Sequence, residues 1–472
     1  MAGEPVNTIQ TASTINASGA LNVSGFFEKI GLKWEGFSAN VRSNWTQNEG
    51  LALPGYNRIV NDRGFFELDP MLTFGRPSSD LRFEAAQRGY LTQFGQFNSP
   101  FIFDANTTVN TDATINFGSK VSLNLNYQQR QSDRIQEQFR VLNGSQGLSF
   151  ESLLANEQGS YSTTAVLLSS IFKATSSSAE SAVFEEFKTL RLAAARRLAV
   201  ANGLDNGKVD AEGFPEAYSA LHPEVLLTAL VAAYSGKDIN TTSLSPFHRF
   251  GLPNWTLSVN QILPEVFSRF TLSHGYRSAY SVNQYQNNLA KNDGLFNPEN
   301  LDIKPDYIIG SVVLNDQFNP LIGVDFETKG LWQFQSSILL DRMLNFSFSN
   351  NLLTEIRGQE FVLGMGKRFS QLKWSMMLGG TRQYFTGDLV LKGDISYRTN
   401  ETILRALDEA LAPQVTAGQE RFSGRLTADY AFTNQLNIMA YYDHTFSRFK
   451  VSTAFPQMTL RAGLSLRYRF GN

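Results

Sequence analysis

The thirteen residues from Met458 to Phe470, MTLRAGLSLRYRF, constrain the fold more than any other stretch. Met458, Leu460, Ala462, Leu464, Leu466, Tyr468 and Phe470 fall on one side of an extended chain. Thr459, Arg461, Gly463, Ser465, Arg467 and Arg469 fall on the other. Side chains on a strand alternate faces, so one face is wholly apolar and the other is polar. A soluble sheet shows such alternation over a few residues. Sustained this long and ending on an aromatic, it fits a strand crossing a bilayer, which takes about 9–11 tilted residues. The expected fold class is an all-β membrane protein: an antiparallel transmembrane β-barrel, or a large arc of one, with a helical insertion.

The totals agree with that class. The chain has 37 Phe and 16 Tyr, suited to the aromatic girdles of a barrel but also to any β-rich protein. It has no cysteine, which removes disulfides and thiolate metal sites. A formal charge of -2 leaves no electrostatic footprint for nucleic acid. No run approaches the roughly 20 apolar residues of a spanning helix. A mean hydropathy of -0.22 is no argument against a membrane, because barrel strands spend half their residues on water. The opening MAGEPVNTIQTASTINASGA has neither the basic nor the apolar region of a signal peptide. The expectation is that a signal has been removed, that the chain is the C-terminal part of something longer, or that the gene is truncated.

Four regions are expected. Residues 1–20 are small and polar and read as a disordered lead-in. Residues 21–173 read as strands and loops. Short β-like runs fall at Phe26–Gly36 and Phe37–Trp45, a loop over Asn48–Arg63 and a weak helical period at Asp80–Leu91. A hairpin from Thr107 turns at Gly118-Ser119 into KVSLNLNYQQRQ, and a strand is expected across Tyr161–Phe172. Residues 174–246 read as a helical insertion, on one rim or in the lumen. There Val183, Phe187, Leu190, Ala194 and Leu198 recur at helical spacing, and Pro223–Ser235 fits a second helix with Pro in its first turn. Residues 247–472 return to strands, with an amphipathic helix-like stretch at 401–412. About 16–18 strand candidates result.

Catalytic and metal chemistry leaves no spacing in the sequence. His222, His248, His274 and His444 match no metal motif, and the acidic loop Asp205–Gly213 lacks the EF-hand order. No G-x-S-x-G occurs, and Ser273 and His274 are adjacent on a strand and so point to opposite faces. Gly364 and Gly366 lack the strand-to-helix context of a phosphate loop and read as places where a strand bends or meets a neighbour. Neither an enzyme nor a cofactor is expected. Arg421, Arg425, Arg461, Arg467 and Arg469 are candidate pore- or water-facing residues, giving a wall local positive charge or pairing with neighbours such as Asp429. Trp255, Trp332, Trp374, Tyr468 and Phe470 are candidate membrane-interface anchors.

Several of these segments, in order, resemble the C-terminal region of the SprA/Sov family. They are LPNWTLSVN (Leu252–Asn260), SRFTLSHGYRSAYSV (Ser268–Val282), FNPLIGVDF (Phe318–Phe326), NNLLTEIRGQEFVLGMGKRF (Asn350–Phe369), DLVLKGDISYRTNETI (Asp388–Ile403) and the last strand. GYLTQFGQFNSPF (Gly89–Phe101) and LLTALVAAYSGKD (Leu226–Asp238) fit as well, so the match runs over most of the chain from about residue 20. Members are very large outer-membrane translocons of the type IX secretion system in Bacteroidota, required also for gliding in some. The resemblance implies a passive conduit in the outer membrane for folded secreted cargo. It also implies a plug protein, a lipoprotein at the barrel side and a smaller cargo-shuttle barrel as partners, besides outer-membrane lipid. Members are several times longer. This chain would then supply part of the wall, the remaining translocon strands completing it, since half a barrel leaves unpaired edges in lipid. A stand-alone diffusion porin and a barrel-based outer-membrane enzyme are the alternatives.

Overall fold

The computed structural model describes residues 8–29, 36–56, 78–93, 99–144, 147–173, 179–249, 251–408, 410–432, 435–451 and 454–470. Among them fifteen strands form one antiparallel sheet. They are β1 (Thr8–Asn22), β2 (Phe37–Pro54), β3 (Phe101–Phe117), β4 (Val121–Gly144), β5 (Gly147–Thr164), β6 (Asn254–Asn260), β7 (Phe267–Asn287) and β8 (Tyr307–Ile309). There follow β9 (Ser311–Thr328), β10 (Trp332–Ser347), β11 (Leu352–Leu378), β12 (Thr381–Ala406), β13 (Gln414–Ala431), β14 (Leu436–Phe449) and β15 (Gln457–Tyr468). Sequence neighbours are sheet neighbours throughout, except that the short β6 bridges β4 and β7 while β8 pairs with β7. Among the described residues β1 pairs with β2 alone and β15 with β14 alone, so the sheet is open at both edges.

The two ends of the sheet differ. Tight turns at one end join β3 to β4, β9 to β10 and β11 to β12. Gly379 and Gly380 in the last of these have φ of 57° and 83°, the left-handed backbone that a two-residue hairpin turn requires. The other end carries the β2–β3, β7–β9, β12–β13 and β14–β15 connections beside the shorter β4–β5 and β10–β11 hairpins. α1 (Val23–Lys29) lies at the turn end and α2 (Leu81–Gln87) in the β2–β3 connection, whereas α3 (Leu168–Ile171), α4 (Ala182–Ala201) and α5 (Pro223–Ser235) lie in the connection that leaves β5 at Thr164, part-way up β4, and returns in β6.

The helices account for the two cores. Ser181 caps α4 by accepting from the Phe184 N–H. His222 caps α5, Pro223 occupies its first turn and Gly236 ends it at φ 67°. Val183, Phe187 and Leu198 of α4 pack with Leu226, Leu230 and Tyr234 of α5 onto Tyr280, Val312, Leu314, Phe346 and Leu353 of the strands. Each such side chain stabilises by about 1.5–3 kcal/mol through burial. A smaller core sets Ala85 and Ala86 of α2 on Leu51, Leu53, Phe101 and Phe139.

Several expectations need correction. Residues 8–20, expected as a disordered lead-in, belong to β1, which pairs with β2 along its whole length. Its small polar residues show little pattern, and the backbone ladder holds it. The loop expected from Asn48 begins later, because β2 runs to Pro54. The run beginning at Phe26 opens in α1, its residues 30–35 lying outside the described residues. The strand expected over Tyr161–Phe172 stops at Thr164 and gives way to α3. Residues 401–406, expected as helical, continue β12, where Ile403 and Arg405 are buried and Glu401 and Thr402 half-buried. The strand number falls to fifteen because two apparent breaks are bulges. β9 runs through a register shift opposite Ile338–Leu340, and β11 through one between Phe369 and Leu372.

Candidate functional site

Register aligns side chains into rows across the strands, and one face of β10–β15 is apolar from row to row. Ile338, Phe361, Tyr397, Phe422 and Phe446 form one row. Nearer the turns, Phe369, Leu389, Tyr430, Ile438 and Leu466 form another. Between them the face is bare: Leu426 is 59% exposed and Leu464 76%. Just past the second row Trp374, Phe385, Tyr430 and Phe432 cluster, with Phe385 and Phe432 4.2 Å apart. From Phe422 to Phe432 the strand advances roughly 33 Å at ~3.3 Å per residue. With a tilt of roughly 40° that is about 25 Å of height, the apolar band of transmembrane barrels.

The same face changes character toward the long-connection end. Past the Phe361 row stands a charged belt, in which Arg357 pairs with Glu401 at 3.5 Å, Lys450 also reaches Glu401, and Arg448 pairs with Glu420 at 2.6 Å. Farther still, α3–α5 and their flanking segments cover it. There Arg342 forks onto Asp316 at 2.8 and 3.0 Å and donates to Ser170 at 2.8 Å. Arg405 pairs with Glu355 and donates to the Ala179 carbonyl at 3.2 Å. Strand pairing is unbroken from Leu353 to Phe369 on β11, so bare band and covered zone share one face. The helical insertion therefore packs on the same face as the bare band, past the charged belt at the long-connection end of β9–β12.

The opposite face is polar. In its C-terminal part Asp394, Arg425, Asp443 and Arg461 form a row of alternating charge, Arg425 meeting Asp443 at 2.7 Å. Arg421 lies opposite Arg398, whose guanidinium is drawn off by Asp341 at 2.8 Å and Glu360 at 3.3 Å. Arg398 and Asp341 meet across β11 because Gly358 stands between them: a Cβ there would come within 2.7 Å of the Asp341 carboxylate. Gly364 leaves the same room for Asp394. In the N-terminal part amides and hydroxyls take over, as in Thr114–Asn124 at 3.0 Å and Gln128–Asn110 at 2.8 Å.

Of the five arginines singled out, Arg421, Arg425 and Arg461 line one recess of about 600 Å³ on this polar face. Arg467 lies on the same face nearer the turns, opposite Asn437, and Arg469 follows the end of β15. Of the five aromatics, Trp332, Trp374, Tyr468 and Phe470 lie at the turn end. Trp255 stands at the other boundary of the apolar face, 4.7 Å from the Tyr276 ring. Trp45 was missed: it opposes Val109 on the apolar face, but Ser43 interrupts the alternation that would have marked it.

Three of the four histidines pack within the fold. His222 Nε2 lies 2.8 Å from the Ile303 carbonyl oxygen, and His274 Nδ1 2.6 Å from that of Leu321. His248 is buried beside Tyr280, and burial, with the Lys237 charge adding, pushes its imidazole down to about 3. Burial also lowers His222 and raises the Glu224 carboxyl. Among the described residues no cluster of three acidic or histidine side chains could hold a metal.

No protein-family model matches the chain, and no curated protein matches its sequence. Solved structures are similar to it, two of them as follows. One is P. aeruginosa FpvA bound to heterologous pyoverdines, at 10% identity and a TM-score of 0.26, covering 98% of this chain and 53% of that one. The other is the ferric-catecholate import receptor Fiu from E. coli K12, at 6% identity and a TM-score of 0.23, covering 97% of this chain and 58% of that one. The chain spans little more than half the length of either. The fold rests on the strand pairing itself, not on these likenesses.

Proposed function

We propose that the sheet is part of the wall of an outer-membrane protein-conducting channel of the SprA/Sov kind, passing folded cargo of type IX secretion, and gliding adhesins where present. The carrying observation is a two-faced sheet, bare and apolar on one side and charged on the other, whose edges β1 and β15 each have a single neighbour among the described residues. In lipid every unsatisfied backbone group costs several kcal/mol, so both edges call for further strands. The ordered resemblance of its segments to that family names the source of those strands. Tight turns face the periplasm and the helical insertion faces outward, as is usual for such proteins. The polar face lines the conduit, which needs no catalytic group. The plug protein, the lipoprotein and the cargo-shuttle barrel are the partners this reading brings with it.

The test is the size of the assembly. The tagged chain is purified from outer membranes in mild detergent, its mass measured and its companions identified. The expected result is recovery with polypeptide that supplies the missing strands. A lone, folded, ion-conducting species of 52.6 kDa would instead make it a porin.

A further inference from the structure

Between the two aromatic rows, the apolar face of β10–β15 carries a single formally charged side chain among the described residues, Lys367. It is set at the height of the turn-end aromatics. Its Nζ lies 4.8 Å from the Trp332 ring and 5.8 Å from the Phe369 ring, and it donates to the Gly330 carbonyl in the β9–β10 turn. Beside it the face dips. Gly393, Ala428 and Ala440 have little or no side chain, and the taller Met365, Leu391 and Tyr442 bound a recess of about 750 Å³ with an almost wholly apolar lining. A lone ammonium at an interface girdle reaches out of the hydrocarbon toward anionic headgroups.

We infer that this recess is a binding site for one glycerophospholipid, with a phosphate oxygen on Lys367 and an acyl chain in the trough over Gly393. Charge complementarity singles out the occupant: an apolar trough alone would accept any hydrocarbon, whereas the cation at its mouth selects a lipid with a phosphate at the same depth. With the tight turns periplasmic, the site lies in the inner leaflet of the outer membrane. The inference rests on the lipid-facing reading of this face.

The test uses the full chain with whatever co-purifies, reconstituted in nanodiscs of phosphatidylethanolamine and phosphatidylglycerol and then moved into detergent for native mass spectrometry. Three variants are compared: Lys367→Met, Lys367→Arg and Gly393→Leu. A Cβ at Gly393 comes within 2.9 Å of the flexible end of Leu426, with the Arg425 carbonyl oxygen next at 4.0 Å, so the backbone has room for the change and circular dichroism checks the fold. The expected result is one phospholipid retained by the parent protein and by Lys367→Arg. Retention by Lys367→Met and Gly393→Leu falls at least about fivefold, with sheet content unchanged by circular dichroism. Equal retention in all four, or none in any, overturns the site. Fractionation of the parent away from the outer membrane is a separate result, and it overturns the functional reading itself.

Discussion

The covered and the bare stretches of the apolar face belong to the same strands, a few residues apart, yet solve different problems. Toward the long-connection end β9–β12 meet α4 and α5, and the contact is dense enough to hold Arg342–Asp316 and Arg405–Glu355 away from water. Toward the turns the face is left uncovered by the described residues, and Leu426 and Leu464 stand exposed. Charge follows the same division. Buried ions are tolerated where partners and hydrogen bonds surround them, and on the bare band only Lys367 appears among the described residues, at its margin. Helix and lipid are thus alternative covers for one alternating pattern, and the charged belt of Arg357, Glu401, Lys450 and Glu420 marks the line between them.

The sharpest way to break this contrast is inside the covered stretch. Arg342→Ala strands Asp316 without its partner, and a cost of about 3–5 kcal/mol is expected. It should appear in hydrogen exchange as lost protection over α3–α5, with β13–β15 unaffected. Next in size is a charge placed on the bare band. Leu426→Arg should cost about 2–4 kcal/mol in bilayer refolding titrations, as arginine does at mid-membrane. In a water-exposed leucine the same change would cost almost nothing.

One pH effect belongs to the covered side. The buried His248 titrates near 3 rather than 6.5, so its contribution is full above about pH 6.5 and is lost as pH falls toward 3. At about pH 4.5 the insertion should be weaker by about 2–3 kcal/mol, at ~1.4 kcal/mol per pH unit. The Glu224 carboxyl, raised by burial, works in the opposite sense. Exchange protection of α5 read across this range, with His248→Phe flattening the profile, checks the assignment. The smallest effect is expected on the polar face. Arg425→Ala should leave stability unchanged and shift the ion selectivity of the assembled conduit toward cations.

What the sequence made legible follows from this comparison. Strand alternation in MTLRAGLSLRYRF and ERFSGRLTADYAF marked β15 and β13 with their faces, because uncovered strands have to display their apolar side in full. Helical spacing and Pro223 marked α4 and α5. Less was legible where tertiary contact sets the structure. Residues 401–406 read as helical because buried Ile403 and Arg405 share a face with Glu401, whose partners are Arg357 of β11 and Lys450 just past β14. β1 has no pattern of its own, since its pairing is carried by the backbone. The side on which the insertion packs was not legible either, because alternation does not say what covers a face. Of the site residues, the polar-face placement of Arg421, Arg425, Arg461 and Arg467 came from parity alone, whereas Lys367 and Trp45 emerged only from cross-strand register.

The most direct measurement exploits the absence of cysteine from the chain. Single cysteines at Leu426 and Leu464 on the bare band, at Ser423 on the polar face and at Phe187 in the insertion accept spin labels one at a time in liposomes. Collision with oxygen, which concentrates in lipid, is compared with collision with a water-soluble nickel chelate. The expected result is oxygen-dominated relaxation at positions 426 and 464, nickel-dominated relaxation at 423, and access to neither reagent at 187. Nickel access at 426 and 464 equal to that at 423 would contradict a lipid-facing band.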